Sequence, residues 1–161
     1  MSSRILVALR VPATPDRAFE AFTAEIGAWW RANPLFAFTP RGPGVLSFEP
    51  GPDGRLPEGR LIETLPSGKV FEIGKVRVWE PPYRLVFGWR QAAFAPGQDT
   101  QVEVTFEAVG QETRVTVQHS GWDTVPADHV AKHSFPEPIF LRRHAEWWQG
   151  LLASFKMAVG E

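Results

Sequence analysis

The order of apolar and polar residues along the chain predicts a series of β-strands between two helical regions. Residues 100–109 and 113–120 alternate most regularly, and Gly110 and Gln111 between them fit a tight hairpin turn. Shorter apolar runs between Pro- and Gly-rich turns predict further strands at residues 4–11, 45–49, 60–65, 70–79 and 84–91. The pattern therefore predicts about six or seven strands.

A helical region is predicted directly after the first strand. Thr14 is suited to cap a helix, Pro15 to occupy its first position, and Asp16 to face the positive end of the helix dipole. Apolar residues then recur every three to four positions, which is typical of a helix with one buried face. A further turn precedes Asn33 and Pro34, and this pair is expected to end the region. Two short helices are therefore predicted here.

A long helix is predicted at the C-terminus. Its apolar residues recur at alternating intervals of four and three positions, which places them on one face. This stripe consists of Leu141, Ala145, Trp148, Leu152, Phe155 and Val159. Trp147 and Leu151 broaden it. His144, near the start of the helix, is expected to face solvent or to cap a neighbouring strand.

The strand connections and the long helix together predict an architecture. Strands joined by short turns have to pair antiparallel, because parallel neighbours need crossovers of a dozen or more residues. The predicted fold class is α+β, with a curved antiparallel sheet wrapped around the long C-terminal helix. Two interpretations of its interior remain open: aromatic side chains fill it completely, or they leave a cavity between sheet and helix.

Composition narrows the possible functions of the chain. Its 161 residues fit one domain over residues 1–161, and seven Trp with twelve Phe favour a large aromatic interior. The absence of cysteine excludes thiolate catalysis and cysteine-ligated metals. A formal charge of −1 argues against partners such as nucleic acid or an anionic membrane. The N-terminal apolar run is too short for a signal peptide, so a cytoplasmic location is expected.

Four segments of the chain resemble one known superfamily: EIGAWW, GKVRVWEPPYRLVFGWR, TQVEVTFEAVGQETRVTVQHSGWD and HAEWWQGLLASFKM. From about Ile5 to Val159 their order and spacing are similar to the SRPBCC or START-like (Bet v 1-like) superfamily, and most similar to its branch of activators of heat-shock protein 90 ATPase. The resemblance implies a helix-grip fold with a deep hydrophobic pocket. The co-chaperone that names this branch carries an additional N-terminal domain, for which this chain has no room, so we expect no chaperone partner.

The inward-facing positions supply the candidate ligand contacts. Alternation along the strands and the helical stripe direct a mainly aromatic set of side chains toward the interior. The candidate ligand-binding residues are Trp30, Phe38, Phe87, Trp89, Val104, Phe106, Val117, His119, Trp122, Trp148, Leu152 and Phe155. No pattern indicates a catalytic pair, a metal site or a cofactor.

Paired tryptophans and a short aromatic loop have two interpretations each. In the pairs 29–30 and 147–148, the side chains of adjacent helix positions point about 100° apart around the helix axis. One indole can therefore face the core while the other lies at its edge. Such pairs either pack the core or form the mouth of a pocket. Phe36 and Phe38, on a Pro-flanked loop, either cover the core or line a cavity entrance.

Histidines suggest two further kinds of site. His119 shares the inward face of its strand, and is either a structural hydrogen-bonding residue or a polar ligand contact. His129 and His133 are four residues apart, and a helix capped by Asp123 or Thr124 would place both rings on one face as metal ligands. Histidines at this spacing are usually solvated, so no metal is predicted.

Three functional hypotheses follow. The leading one is a non-catalytic domain that binds a small apolar or amphipathic molecule in an internal hydrophobic cavity. The alternative is an enzyme of the same fold, such as a cyclase, dehydratase or hydrolase acting on a polyketide-like or aromatic substrate, which requires an inward-facing acid–base pair. The third is a co-chaperone-like interaction module, which requires an exposed apolar patch. A homodimer is compatible with each.

Overall fold

A computed structural model describes residues 4–33, 36–40, 43–54, 58–126, 128–133 and 135–160. Its strands are β1 (Ile5–Val11), β2 (Val45–Glu49), β3 (Arg60–Thr64), β4 (Val70–Glu80), β5 (Arg84–Trp89), β6 (Thr100–Val109) and β7 (Glu112–Ser120). They form one antiparallel sheet in the order β1-β7-β6-β5-β4-β3-β2. The predicted curved antiparallel sheet is confirmed, and each strand ends within two residues of its prediction.

The α-helices of the described chain are α1 (Pro15–Thr23), α2 (Ile26–Trp29) and α3 (Glu137–Val159). Thr14 caps α1, because its Oγ1 accepts a hydrogen bond from the backbone N–H of Arg17 at 3.3 Å. Helices α1 and α2 link β1, at one edge of the sheet, to β2 at the opposite edge. Pro34, expected to end this region, lies outside the described residues. In the part of the chain that the structure describes, no helix is long and apolar enough to cross a membrane.

Strand β4 carries the features that bend the sheet. Its pairing register shifts against β3 between Leu61 and Ile62, and shifts again against β5. A Cβ atom added to Gly74, in the middle of β4, would lie only 1.9 Å from the carbonyl oxygen of Gly88 in β5. A glycine is therefore required at position 74 for the two backbones to approach. Register shifts and glycines of this kind are the usual means by which strands bend.

The helices cover different parts of the inner sheet face. Helix α3 packs beside β1, α1 contacts β6 and β7, and α2 contacts β2. Aromatic rings fill the space between them. The ring of Phe22 in α1 is 5.6 Å from that of Phe155 in α3 and 5.9 Å from that of Phe106 in β6. The centre of the fold is therefore a packed aromatic core.

Two hydrogen bonds attach α3 to α2 and to the residues that follow it. The hydroxyl of Ser154 donates to the carbonyl oxygen of Trp29 at 2.6 Å. The indole Nε1 of Trp147 donates to the carbonyl oxygen of Arg31 at 3.0 Å. The chain leaving α2 is consequently held against the middle of α3.

The buried face of α3 differs from the predicted stripe in its first turns. Phe140 and His144 are fully buried, whereas Leu141 and Ala145 are only partly buried. The expectation that His144 faces solvent or caps a strand is therefore wrong. Both sets of residues satisfy helical spacing, and contact with Trp122 decides between them, because its ring lies 4.9 Å from Phe140 and 5.1 Å from His144.

The segment before α3 forms two short 3-10 turns, Trp122–Thr124 and Val130–Lys132, and not the helix considered for this region. Lys132 is only 2% exposed. Its Nζ donates to two backbone carbonyl oxygens of the preceding segment, at 2.8 and 3.1 Å, and to the carboxylate of Glu137 at 2.8 Å. A buried lysine therefore ties this segment to the start of α3.

The close approach at β4 gives a prediction with a matched control. Gly74→Ala should lower the free energy of unfolding by about 1–3 kcal/mol or more, because the added Cβ has to displace backbone. Gly150→Ala, in an exposed position of α3 where a Cβ meets nothing within 4 Å, should raise it by about 0.5–1 kcal/mol. Denaturant unfolding measures both. Equal effects of the two substitutions on the free energy of unfolding would contradict the requirement for glycine at position 74.

Candidate functional site

A cavity of about 500 Å³ lies at the β2–β3 end of the sheet. The end of α2, the segment after it, strands β2 and β3, and the middle of α3 contribute its walls. The larger apolar side chains among them are mainly aromatic: Trp30, Phe36, Phe38, Leu46 and Trp147. Small-molecule sites in proteins typically occupy about 300–1,000 Å³ and have mainly apolar walls. The cavity therefore has the size and composition of a ligand site.

Trp30 connects the cavity to the packed core. Its ring centroid is 5.7 Å from those of Trp89 and Trp148, which are fully buried. It is also 5.7 Å from Trp147 and 6.2 Å from Phe38, which line the cavity with it. One side of the cavity is thus a rigid aromatic wall that continues into the interior.

Glu63 in β3 places a carboxylate in the cavity wall, although its side chain is only 3% exposed. Its Oε1 accepts a hydrogen bond from the hydroxyl of Thr39 at 2.9 Å, and its Oε2 accepts one from the backbone N–H of Gly44 at 3.0 Å. A Cβ on Gly44 would lie 2.4 Å from the carbonyl oxygen of Thr64. Glycine at position 44 therefore allows the backbone to come close enough to hold the carboxylate.

The twelve predicted ligand contacts are divided between the cavity and the core. Trp30 and Phe38 line the cavity. The other ten are at most 2% exposed and do not line it: Phe87, Trp89, Val104, Phe106, Val117, His119, Trp122, Trp148, Leu152 and Phe155. They pack between the sheet and the helices, and the cavity lies beside them. Contact of these residues with a ligand stays a prediction.

His119 belongs to a buried chain of hydrogen bonds. The indole Nε1 of Trp148 donates to His119 Nδ1 at 3.2 Å, and His119 Nε2 lies 2.9 Å from the hydroxyl of Thr100. That hydroxyl donates to the carbonyl oxygen of Trp89 at 2.7 Å. Because an indole N–H only donates, the neutral ring carries its proton on Nε2. Both nitrogens are engaged by the protein, so His119 connects α3 to strands β5 and β6.

His144 lies beside these hydrogen bonds and is surrounded by aromatic rings. Its ring is 4.6 Å from Phe36, which lines the cavity, and 5.1 Å from His119. Neither nitrogen of His144 hydrogen-bonds to a described residue, and the same holds for Nε1 of Trp89 and of Trp122. Burial lowers the pKa of His144 to about 3. Burial, and secondarily repulsion from the protonated form of His144, holds the pKa of His119 well below its usual value. Both imidazoles are neutral at pH 7.

His129 and His133, the pair considered above as metal ligands, lie around the second 3-10 turn. His129 Nδ1 accepts a hydrogen bond from the backbone N–H of Ala131 at 3.0 Å, and its Nε2 lies 3.1 Å from the carbonyl oxygen of Ala93. His129 thereby caps the second 3-10 turn. His133 ends that turn with a left-handed backbone, at φ 51°. Within the described ranges, no three His, Cys, Asp or Glu residues form a group able to hold a metal ion.

Sequence reasoning missed Glu63 and Leu46. The signal for Glu63 was present, because it lies two positions after Leu61 in a strand and so shares its inward face. Leu61 is fully buried, and Glu63 is nearly so. A charged residue at an inward strand position is unusual enough to mark a candidate site.

The curled sheet gripping a long C-terminal helix, with a cavity at one end, defines a helix-grip domain of the Bet v 1-like type. The family model described as Activator of Hsp90 ATPase homolog 1-like protein matches residues 12–160, and the chain belongs to this family. The resemblance noted in the sequence is thereby confirmed. No curated protein sequence matches the chain.

Solved structures with the same fold have different described roles. An HSP90 activator from Plasmodium falciparum is 19% identical, with a TM-score of 0.62, and the match covers 98% of this chain and 96% of that one. The Aha1 dimer from Colwellia psychrerythraea is 18% identical, with a TM-score of 0.59 and coverage of 97% and 95%. An anthrahydroquino-gamma-pyrone synthase, solved as a complex, is 26% identical, with a TM-score of 0.53 and coverage of 89% and 96%.

The buried histidines predict an acid-sensitive stability. As pH falls below 6.5, histidines in the unfolded chain bind protons, whereas His144 in the folded chain does not until its pKa of about 3. The pKa of His119 is also lowered in the folded chain, so its burial has the same effect on stability. The free energy of unfolding should therefore fall with falling pH, approaching about 1.4 kcal/mol per pH unit for each histidine.

Denaturant unfolding between pH 8 and pH 5 measures this slope before most carboxylates titrate. His144→Phe should remove the contribution of one histidine, and so lower the slope by about 1.4 kcal/mol per pH unit. His144→Leu serves as a second variant. At pH 8 neither histidine contributes to the slope, which provides the internal control. An unchanged slope in both variants would refute the neutral burial of His144.

Proposed function

We propose that this chain is a small-molecule-binding domain and that an apolar or amphipathic ligand occupies the cavity at the β2–β3 end of the sheet. The observation that carries the proposal is the cavity itself: about 500 Å³, walled by indole and phenyl rings, with one buried carboxylate. Few convergent polar groups in a mainly apolar cavity are typical of ligand sites.

The chemistry of the walls supports affinity for an organic molecule. Apolar surface removed from water contributes about 25 cal/mol per Å², and rigid indoles lose little freedom when they contact a ligand. In this proposal Trp30 and Phe38 contact the ligand directly. Trp89 and Trp148 support the position of Trp30 from the core side. Glu63 and Thr39 supply oriented polar contacts.

Obstructing the cavity from its rim should weaken binding without disturbing the core. Ala32 is exposed and lines the cavity, so Ala32→Trp introduces an indole at its rim. This variant should weaken binding of the neutral fluorescent probe N-phenyl-1-naphthylamine by at least about tenfold, equivalent to about 1.4 kcal/mol. Fluorescence titration measures the affinity.

The matched control is Ala153→Trp, at an exposed position of α3 that does not line the cavity. It should bind the probe as the wild type does. Ala37→Trp repeats the test from another position in the wall. The proposal fails if the wild type does not bind the probe, or if the rim variants and the control bind it equally well.

A second candidate function is catalysis on an aromatic or polyketide-like substrate. Two observations favour it: the 26% identity to an anthrahydroquino-gamma-pyrone synthase, and the Glu63 carboxylate in the cavity wall. A carboxylate held by two donors is able to accept a proton from a bound substrate.

This candidate predicts turnover that depends on Glu63. Wild-type protein incubated with an anthraquinone-type polyketide should form a product detectable by mass spectrometry, and Glu63→Gln should reduce its rate by at least about a hundredfold, the usual scale of acid–base catalysis. A wild type that binds the compound and leaves it unchanged would rule out this reaction.

A further inference from the structure

We infer that the ligand of this cavity carries a positive charge, and specifically that it is an organic ammonium attached to an aromatic or aliphatic body. The inference rests on the proposed function and specifies its ligand class. Its starting point is the charge of the walls. Among the described residues that line the cavity, Glu63 has the only ionisable side chain.

The negative charge of Glu63 has no basic partner in the described part of the chain. The ion pairs found there join other residues. The two hydrogen bonds to Glu63 come from a hydroxyl and a backbone N–H, which are neutral donors. A buried charge is unfavourable unless it is paired, so a cationic ligand would complete this site.

Acceptor capacity on Glu63 remains for such a ligand. Each carboxylate oxygen accepts about two hydrogen bonds, and Oε1 and Oε2 each receive one from the described residues. An ammonium group has up to three N–H donors and no acceptor, which complements these oxygens. Thr39 and Gly44 hold the carboxylate in place before any ligand arrives, so binding requires little reorganisation.

The aromatic walls favour the same sign of charge. The cavity contains two indoles, Trp30 and Trp147, and two phenyl rings, Phe36 and Phe38. The negative faces of such rings attract organic cations, and indole does so most strongly. An anionic ligand would meet the Glu63 carboxylate, and no described residue of the cavity lining is a cation that could offset the repulsion. Apolar walls and a single acidic group therefore select for an amphipathic amine.

Three ligands with the same ring system separate charge from apolar burial. They are 1-naphthylmethylammonium, 1-naphthalenemethanol and 1-naphthoate, compared by isothermal titration calorimetry at pH 7 and low ionic strength. The ammonium should bind at least tenfold more tightly than the alcohol, and the naphthoate should bind most weakly. Glu63→Gln should remove the advantage of the ammonium and change the affinity for the alcohol by less than about threefold.

Glu49→Gln is the matched control, because Glu49 lies in the adjacent strand β2, pairs with Arg60 and does not line the cavity. It removes the same charge from the protein and should leave the preference for the ammonium unchanged. Circular dichroism establishes that the variants are folded. If Glu63→Gln does not fold, the comparison of the ammonium with the alcohol in the wild type decides the question.

The outcomes separate the two proposals. If the alcohol binds as tightly as the ammonium, the cationic ligand class is wrong while the binding cavity stands. If Glu49→Gln abolishes the preference as Glu63→Gln does, the effect comes from overall charge, and the role of Glu63 is refuted. If no member of the series binds, the proposed function itself fails, and the ligand class fails with it.

Discussion

The structure depends on one constraint: a seven-stranded antiparallel sheet has to bury one face, and a single long helix is available to cover it. Helix α3 lies beside β1, at one edge of the sheet, and β2 and β3 form the opposite edge. The shorter α2 and the segment after it cover that far side. Incomplete coverage there leaves the cavity, whereas the region under α3 is filled by aromatic rings.

Hydrogen bonds hold the cavity wall in place from both the helix side and the sheet side. On the helix side, Ser154 holds the end of α2 against α3, and Trp147 holds the backbone that follows it. On the sheet side, Gly44 and Thr39 hold the Glu63 carboxylate. The walls are therefore positioned by contacts that do not involve a ligand, which is the condition for binding a small molecule without a large cost of ordering.

The two buried histidines of the core, His119 and His144, have different surroundings. His119 has both nitrogens engaged and joins α3 to the sheet through Trp148 and Thr100. His144 has neither nitrogen bonded to a described residue and contacts Phe36, a residue of the cavity wall. His119 is therefore positioned by hydrogen bonds, whereas His144 is positioned by the aromatic rings around it.

The sequence by itself determined the strands, the hairpin at Gly110, the cap at Thr14 and the antiparallel α+β class, because alternation, turn residues and capping are local properties of the chain. The helix-grip type was implied by the resemblance to a known superfamily. Tertiary structure alone decided which face of α3 is buried and where the cavity lies. Gly44 and Thr39 are 19 and 24 residues from Glu63, and only the folded backbone brings them to its carboxylate. Local patterns place a side chain on a face, but they do not identify what stands opposite it.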